Sequence, residues 1–395
     1  MPIETSKINR AQFLAGAAAV GVSLATPNQA AATPTQAGTT PNQVTAGATP
    51  NRTAAGRRPM HLNGVGYDTG TVFLGDDSRP TWNRGQMRAE LRAIDKRLHA
   101  NWVSLFGSDA TRLTETAEEA LNRGLTVSIQ PRAFDRPQSY ALEQLRQTAC
   151  AAERLRHRHD PEVILVVGCE FMLFTPGIVP GADFYERVEN LAKPDLDWPA
   201  IRRRMAVYVE KVVTVARKNF GGRITYGAAA DLEAVNWNLF DIVGLDYYSY
   251  HEDPASHTAE LAPFRKWRKP ILVLEFGCCT STGAAELGGM GWDVVDYTQD
   301  PPVIPAEVTR DEAEQARHLV NMVGVFEREG LLGASIYSFI SPDAPHSASK
   351  EHDYDIASYS VVKTIRADHF DPTSPYRWEP KQSFKAVAKK YVRPR

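Results

Sequence analysis

The chain has 395 residues, 43% hydrophobic and 23% charged, enough for one large core with the balance of an ordinary globular protein. A formal net charge of −2 gives a polyanion no electrostatic hold, so no nucleic-acid partner is expected. Four cysteines, Cys150, Cys169, Cys278 and Cys279, are too few for a disulfide scaffold. Cys169 with Cys278 is the pairing an oxidising compartment would permit, and no Cys-x-x-Cys or nearby histidine suggests a metal site.

The N-terminus reads as an address rather than as fold. A basic start is followed by an apolar run from Phe13 to Ala25 and then small residues, the pattern of a secretory signal over residues 1–32. The run is too short for a comfortable membrane span. "NRAQFL" also resembles a twin-arginine signal with Ala11 in place of the second arginine, so the Sec and twin-arginine routes both stay open. Residues 33–57, rich in Thr, Pro, Ala and Gly with recurring "TPNQ"-like units, contain too few apolar side chains to offset ordering entropy and read as a linker. An extracellular domain over residues 58–395 follows from both.

From Met60 onward, short β-rich runs alternate with segments of helical period. The strand candidates are His61–Tyr67, Asn101–Gly107, Leu125–Pro131, Val163–Glu170, Arg223–Ala229, Asp241–Ser249, Pro270–Gly277 and Gly333–Ile340. Helical segments are expected over Gln86–His99, Ala110–Arg123, Ser139–Arg158, Trp198–Asn219 and Arg310–Glu329, with Gly124, Gly221 and Gly330 placed as C-terminal caps of three of them. The basic clusters Arg154–His159 and Ile201–Met205 fall in helical segments and read as solvated faces. Eight strand–helix units predict an α/β fold, a single (β/α)8 barrel, with long loops after strands seven (Cys278 to about Thr309) and eight (Ser341 to about Lys381). "NGVGYDTG" lacks dinucleotide-loop spacing, so no nucleotide cofactor is expected, nor any other.

Barrel chemistry gathers at the C-terminal ends of the strands. Those ends carry Tyr67 and Asp68, Phe106, Gln130 and Arg132, Glu170, Tyr247 and Tyr248, Glu275, and Ser338 and Phe339. Glu170 in "VVGCEF" and Glu275 in "LVLEFG" each end an apolar strand, where an unpartnered carboxylate is expensive and therefore needs a partner or a task. Strands four and seven face each other across an eight-stranded barrel. Two carboxylates so placed suit glycoside cleavage, at about 5–5.5 Å for retention or about 6.5–9.5 Å for inversion. Arg132 reads either as a substrate contact or as the partner of one of these acids, and Tyr247, Phe106 and Phe339 either as core or as ligand platforms.

With these motifs the chain resembles clan A of the glycoside hydrolases, (β/α)8 retaining enzymes with the acid/base Glu after strand four and the nucleophile Glu after strand seven. It also resembles exported actinobacterial proteins often labelled abortive-infection proteins, a label that implies no mechanism. The resemblance makes Glu170 the acid/base and Glu275 the nucleophile, oriented by a strand-six tyrosine, for which Tyr248 is favoured over Tyr247. It also marks two departures: Cys169 stands where the clan has Asn before the acid/base, and strand eight offers Tyr337 or Phe339 where a Trp is common. Either another side chain, such as Gln130 or Arg132, then supplies the missing Asn contact, or the substrate is presented differently. In the long loops, Trp292 can stack on a sugar face and His346 can reach the substrate, while His346, His352, Asp353 and Asp355 read as a polar loop cap or a cation site. The expectation is a secreted retaining glycosidase acting on a polysaccharide or glycoconjugate. Its alternatives are an inactive carbohydrate- or partner-binding barrel and a hydrolase using Cys169 or Cys278 as nucleophile.

Overall fold

The computed structural model describes residues 60–392, so the segments read as signal and linker lie outside the described residues. The apolar runs form eight parallel strands: β1 (Leu62–Asp68), β2 (Trp102–Gly107), β3 (Thr126–Pro131), β4 (Val163–Cys169), β5 (Arg223–Ala229), β6 (Val243–Asp246), β7 (Ile271–Phe276) and β8 (Gly333–Ile336). Each pairs with the next, and β8 pairs with β1, closing a barrel. Around it lie α1 (Arg84–Lys96), α2 (Ala110–Asn122), α3 (Gln138–Arg158), α4 (Phe184–Leu191), α5 (Trp198–Asn219), α6 (Pro254–Leu261), α7 (Glu312–Arg328) and α8 (Gln382–Tyr391). Side-chain caps start most of them: Asn83 accepts from Gln86 N–H, Asp109 from Thr111 and Arg112, and Asp311 from Glu314.

Three local expectations need correction. The β5–β6 connection has only a 3-10 turn, Trp237–Leu239, in place of a helix; Trp237 is buried, and the Lys269 ammonium donates to the Trp237 and Asn238 carbonyls at 2.7 and 3.1 Å, satisfying the turn from outside. Gly124 and Gly330 take positive φ after α2 and α7, but Gly221 does not cap α5. That helix ends through Phe220 in extended geometry, and Gly221 N–H donates to Glu153. Finally, the segment after β8 is not loop throughout: Val362–Arg366 (β9) and Tyr376–Pro380 (β10) form an antiparallel hairpin.

The barrel lumen is filled by Leu62, Trp102, Ile164, Val166, Ile242, Leu272 and Leu274. Gly64 is needed beside them, because a Cβ there would sit 2.3 Å from the Trp102 ring. Above this layer the register is interrupted in β4, against β5, and in β7, against both β6 and β8. Between β4 and β5 the pairing runs from Val166↔Thr225 to Cys169↔Gly227, and between β6 and β7 from Leu245↔Val273 to Asp246↔Glu275. One extra residue therefore precedes each strand-end glutamate, a bulge that re-aims the side chain after it. Strict alternation from Leu272 and Leu274 would turn Glu275 away from the lumen. With the bulge, Phe276 instead packs outward on Phe326, at 5.1 Å between ring centroids.

The long segments are tied down by charge. Arg310 donates to Asp353 and Asp355, each at 2.8 Å, His346 lies 2.7 Å from Asp353, and the buried Lys381 ammonium lies 3.0 Å from Asp355. Among the described residues no helix is long and apolar enough to cross a membrane.

Candidate active site

Glu170 follows β4 with φ 43° and ψ 52°, a left-handed conformation disfavoured for a residue with a side chain. Its neighbours hold it there. Glu170 N–H donates to Gly227 O at 2.8 Å, Phe171 N–H to Tyr226 Oη at 2.6 Å, and Met172 N–H to Glu233 Oε1 at 2.9 Å. Tyr226 in turn donates to Glu233 Oε2 at 2.8 Å. Burial, then the nearby Glu275 and Glu233 charges, push the Glu170 carboxyl well above the usual carboxylate range. Burial likewise raises Glu233, to about 7.

Glu275 is treated differently. The Arg132 guanidinium donates to its Oε1, and Tyr248 Oη donates to Oε2 at 3.2 Å. Arg132 is itself fixed by Gln130, which accepts from Nε at 2.7 Å, by the Phe106 ring 3.8 Å beneath its guanidinium, and by Tyr337. One carboxylate thus faces a cation while the other is buried with like charge nearby.

The strand-end candidates part company around this pair. Arg132, Gln130, Tyr248 and Cys169 gather with Glu170 and Glu275. Trp292 lies half-buried next to the group, bridging the Tyr248, Cys279 and Tyr337 cluster to Phe73, Phe174 and Phe184. Tyr67 instead donates to Glu90 at 2.5 Å and carries the Arg79 guanidinium over its ring, on the outer side of the wall. Tyr247, one residue from Tyr248, points outward to His257 and Glu260. Asp68 accepts from Gly70 N–H, Thr71 and Ser78, shaping the first loop. Phe339 packs against Trp378 and Phe384, and His346 belongs to the Arg310 clamp. Arg310 and Lys381 meet the carboxylates of that clamp, which makes it a polar cap.

Sequence reading missed three groups. Tyr226 and Glu233 lie in β5 and the loop after it, a strand to which no site residue had been assigned. The third is Asp246, buried at the end of β6 one turn of the pleat before Tyr248. Burial, then Glu275 and Glu170, push its carboxyl well above the usual range. The signal was present: "GLDYY" ends an apolar strand with an acid, as the two glutamate strands do. On the side of the β1–β3 loops a cavity of about 280 Å³ opens next to Arg132, lined among others by Asp77, Arg112, Phe134, Arg136 and Tyr140.

No family model matches the chain, and no curated protein does. Solved structures do match. A GH113 β-1,4-mannanase in complex is 16% identical over 84% of this chain and 98% of its own, with a TM-score of 0.54. A GH113 β-mannanase from Alicyclobacillus acidocaldarius is 15% identical over 84% and 97%, at 0.51. A β-glucuronidase from Ruminococcus gnavus is 13% identical, at 0.51, over 85% of this chain and 50% of its own. What these structures share with the chain is the closed (β/α)8 barrel. At such identities the likeness speaks for the fold alone.

In this barrel the two departures from the expected resemblance take physical form. Cys169 is buried and its thiol is pushed up by burial, while Gln130 and Arg132 are engaged with each other and with Glu275. At strand eight it is Tyr337, stacked on Phe106 at 5.3 Å, that reaches the pair, while Phe339 turns into the core. All four cysteines are free, so the Cys169–Cys278 pairing does not form.

Proposed function

We propose that this protein is a retaining glycoside hydrolase in which Glu170 is the acid/base and Glu275 the nucleophile. The observation that carries the reading is the unequal treatment of two strand-end glutamates, one acting electrostatically on the other: Glu275 held by Arg132 and Tyr248, Glu170 raised by burial and like charge. In the first step Glu170 gives its proton to the glycosidic oxygen as that C–O bond breaks, and Glu275 forms a bond to the anomeric carbon. In the second, Glu170 takes a proton from water, the water oxygen bonds to the anomeric carbon, and the Glu275 ester breaks. Esterification removes the Glu275 charge, one of the causes holding Glu170 protonated, so Glu170 becomes a better base when the second step needs one.

The substrate is a polysaccharide or glycoconjugate, and export through residues 1–32 belongs to the same proposal. A cysteine nucleophile is disfavoured: burial pushes Cys278 up to about 12 and Cys169 well above its ordinary value, leaving no thiolate at neutral pH. The buried, unreactive Cys169 favours one second reading, a barrel that binds carbohydrate without cleaving it.

Turnover of a glycan panel that includes β-1,4-mannan and aryl β-glucuronides separates them. Glu275→Ala should lower kcat at least ~1,000-fold with binding retained, Glu170→Gln should spare substrates with activated leaving groups, and the first-formed product should keep its anomeric configuration by NMR. Turnover unchanged in Glu275→Ala, or an inverted product, rejects the mechanism. Binding without turnover by the wild type supports the second reading.

A further inference from the structure

Asp246 stands apart from the other buried acids. Glu90 is met by Tyr67, Arg79 and Tyr376, Glu233 by Tyr226 and two backbone N–H groups, and Asp355 by Arg310 and Lys381. Asp246 is only 3% exposed, yet among the described residues no group donates a hydrogen bond to either of its oxygens. A carboxyl removed from water without a partner is a destabilising choice.

Its position shows where it is aimed. Ile242 in the residues before β6 lies in the lumen layer, and a Cβ on Gly244 would meet Leu274 of that layer at 3.0 Å. Alternation then carries Asp246 and Tyr248 to the same lumen side, and Tyr248 reaches Glu275. Asp246 pairs in register with Glu275 across β6 and β7. On its other side it fills the space over Gly227: a Cβ there would lie 2.7 Å from Asp246 Oδ2, 3.1 Å from Oδ1 and 3.1 Å from Cys169 Cβ. Gly227 is thus the residue that lets the Asp246 carboxyl and the Cys169 side chain lie side by side, on β5 and the strands flanking it. The carboxyl thus lies on the lumen side, between the strands that present Glu170 and Glu275.

We propose that Asp246 is a substrate-contacting residue whose carboxyl hydrogen-bonds a hydroxyl of the sugar ring seated between Glu170 and Glu275. This rests on the glycosidase reading and deepens it. The class of sugar follows from charge. Glu275 and Glu170 both act on Asp246, and the guanidinium beside them, Arg132, is already committed to Glu275. A ring carboxylate turned toward Asp246 would be taken out of water with no uncommitted cation to meet it, so the ring accepted here is uncharged. Hydroxyls satisfy both of the unpartnered oxygens, as acceptor or as donor, without burying an unpaired charge.

The test uses the full chain as wild type, Asp246→Asn, Asp246→Ala and Glu275→Ala, with melting temperature measured beside kcat and KM on the panel glycan that the wild type cleaves. Asp246→Asn should melt no lower than wild type, because no protein partner is lost, while kcat/KM falls at least ~10-fold and further in Asp246→Ala. The wild type should also prefer an aryl hexoside over the matching aryl hexuronide. Wild-type kcat/KM in Asp246→Ala, a lower melting temperature in Asp246→Asn, or preference for the uronide overturns the inference while leaving the glycosidase reading intact. Wild-type turnover in Glu275→Ala, or no turnover by the wild type on any panel member, overturns both.

Discussion

Glu170 shows what a single side chain gains and loses by its surroundings. Its folded-state carboxyl titrates above the ordinary value of 4.5, so the folded protein holds a proton that the unfolded chain releases. Below about pH 4.5 both states are protonated and the group contributes nothing to pH dependence. As pH rises from there towards the folded value, stability is lost, because the unfolded state sheds its proton first. Glu233, raised to about 7, adds to the same slope between about pH 4.5 and 7. Replacing Glu170 by Gln removes its share. Thermal melts of Glu170→Gln should therefore coincide with wild type near pH 4 and lie above it at pH 7, and a mutant that melts lower at pH 7 would contradict the assigned environment. In the proposed mechanism this loss of stability accompanies an acid that holds its proton above the usual carboxylate range.

At the scale of elements, the site depends on two bulges and one brace. An extra residue in β4 and another in β7 turn Glu170 and Glu275 toward a common mouth. The brace runs from β5: Tyr226 accepts from Phe171 N–H and donates to Glu233, which accepts from Met172 and Ala229 N–H. Together they fasten the helical turn Phe171–Phe174 and with it the left-handed Glu170 backbone. Tyr226→Phe leaves a buried N–H without an acceptor and should destabilise the protein by about 1–3 kcal/mol. Because the lost bond aims the acid rather than binding the sugar, kcat should fall roughly 10-fold or more with KM little changed. A mutant that loses stability while keeping kcat would show the brace to be structural only. None of this geometry was legible beforehand, since a bulge is a relation between two strands and Tyr226 read as an ordinary apolar strand residue.

At the scale of the whole molecule, the last helix fastens the closed barrel. Phe384 and Val387 of α8 belong to the main core, Ser383 donates to Gln315 of α7 at 2.6 Å, and Tyr391 donates to Gly64 O in β1 at 2.9 Å. The helix thus ties α7 to β1. Three buried side chains at about 1.5–3 kcal/mol each amount to much of a typical net stability of about 5–15 kcal/mol. Removing residues 382–395 should therefore give an insoluble or molten chain, read by solubility and near-UV circular dichroism. A truncated protein with a native spectrum would refute that role. The Arg310 clamp, by contrast, orders the segments after β7 and β8 without touching the glutamate pair.

The order of elements, the eight strands and the two glutamates were readable in the sequence, because alternation of apolar runs with helical period is local and an acid ending such a run is conspicuous. Arg132 and Tyr248 could be named as candidates on the same ground, but not the atoms they serve. Which tyrosine of the pair at 247 and 248 faces the lumen, that His346 joins a loop clamp, and that Asp246 lies unpartnered beside Cys169 were decided only when the barrel closed. Closure sets the register between strands distant in sequence. A shift of one residue there moves a side chain to the other face of the wall, and local pattern carries no record of it.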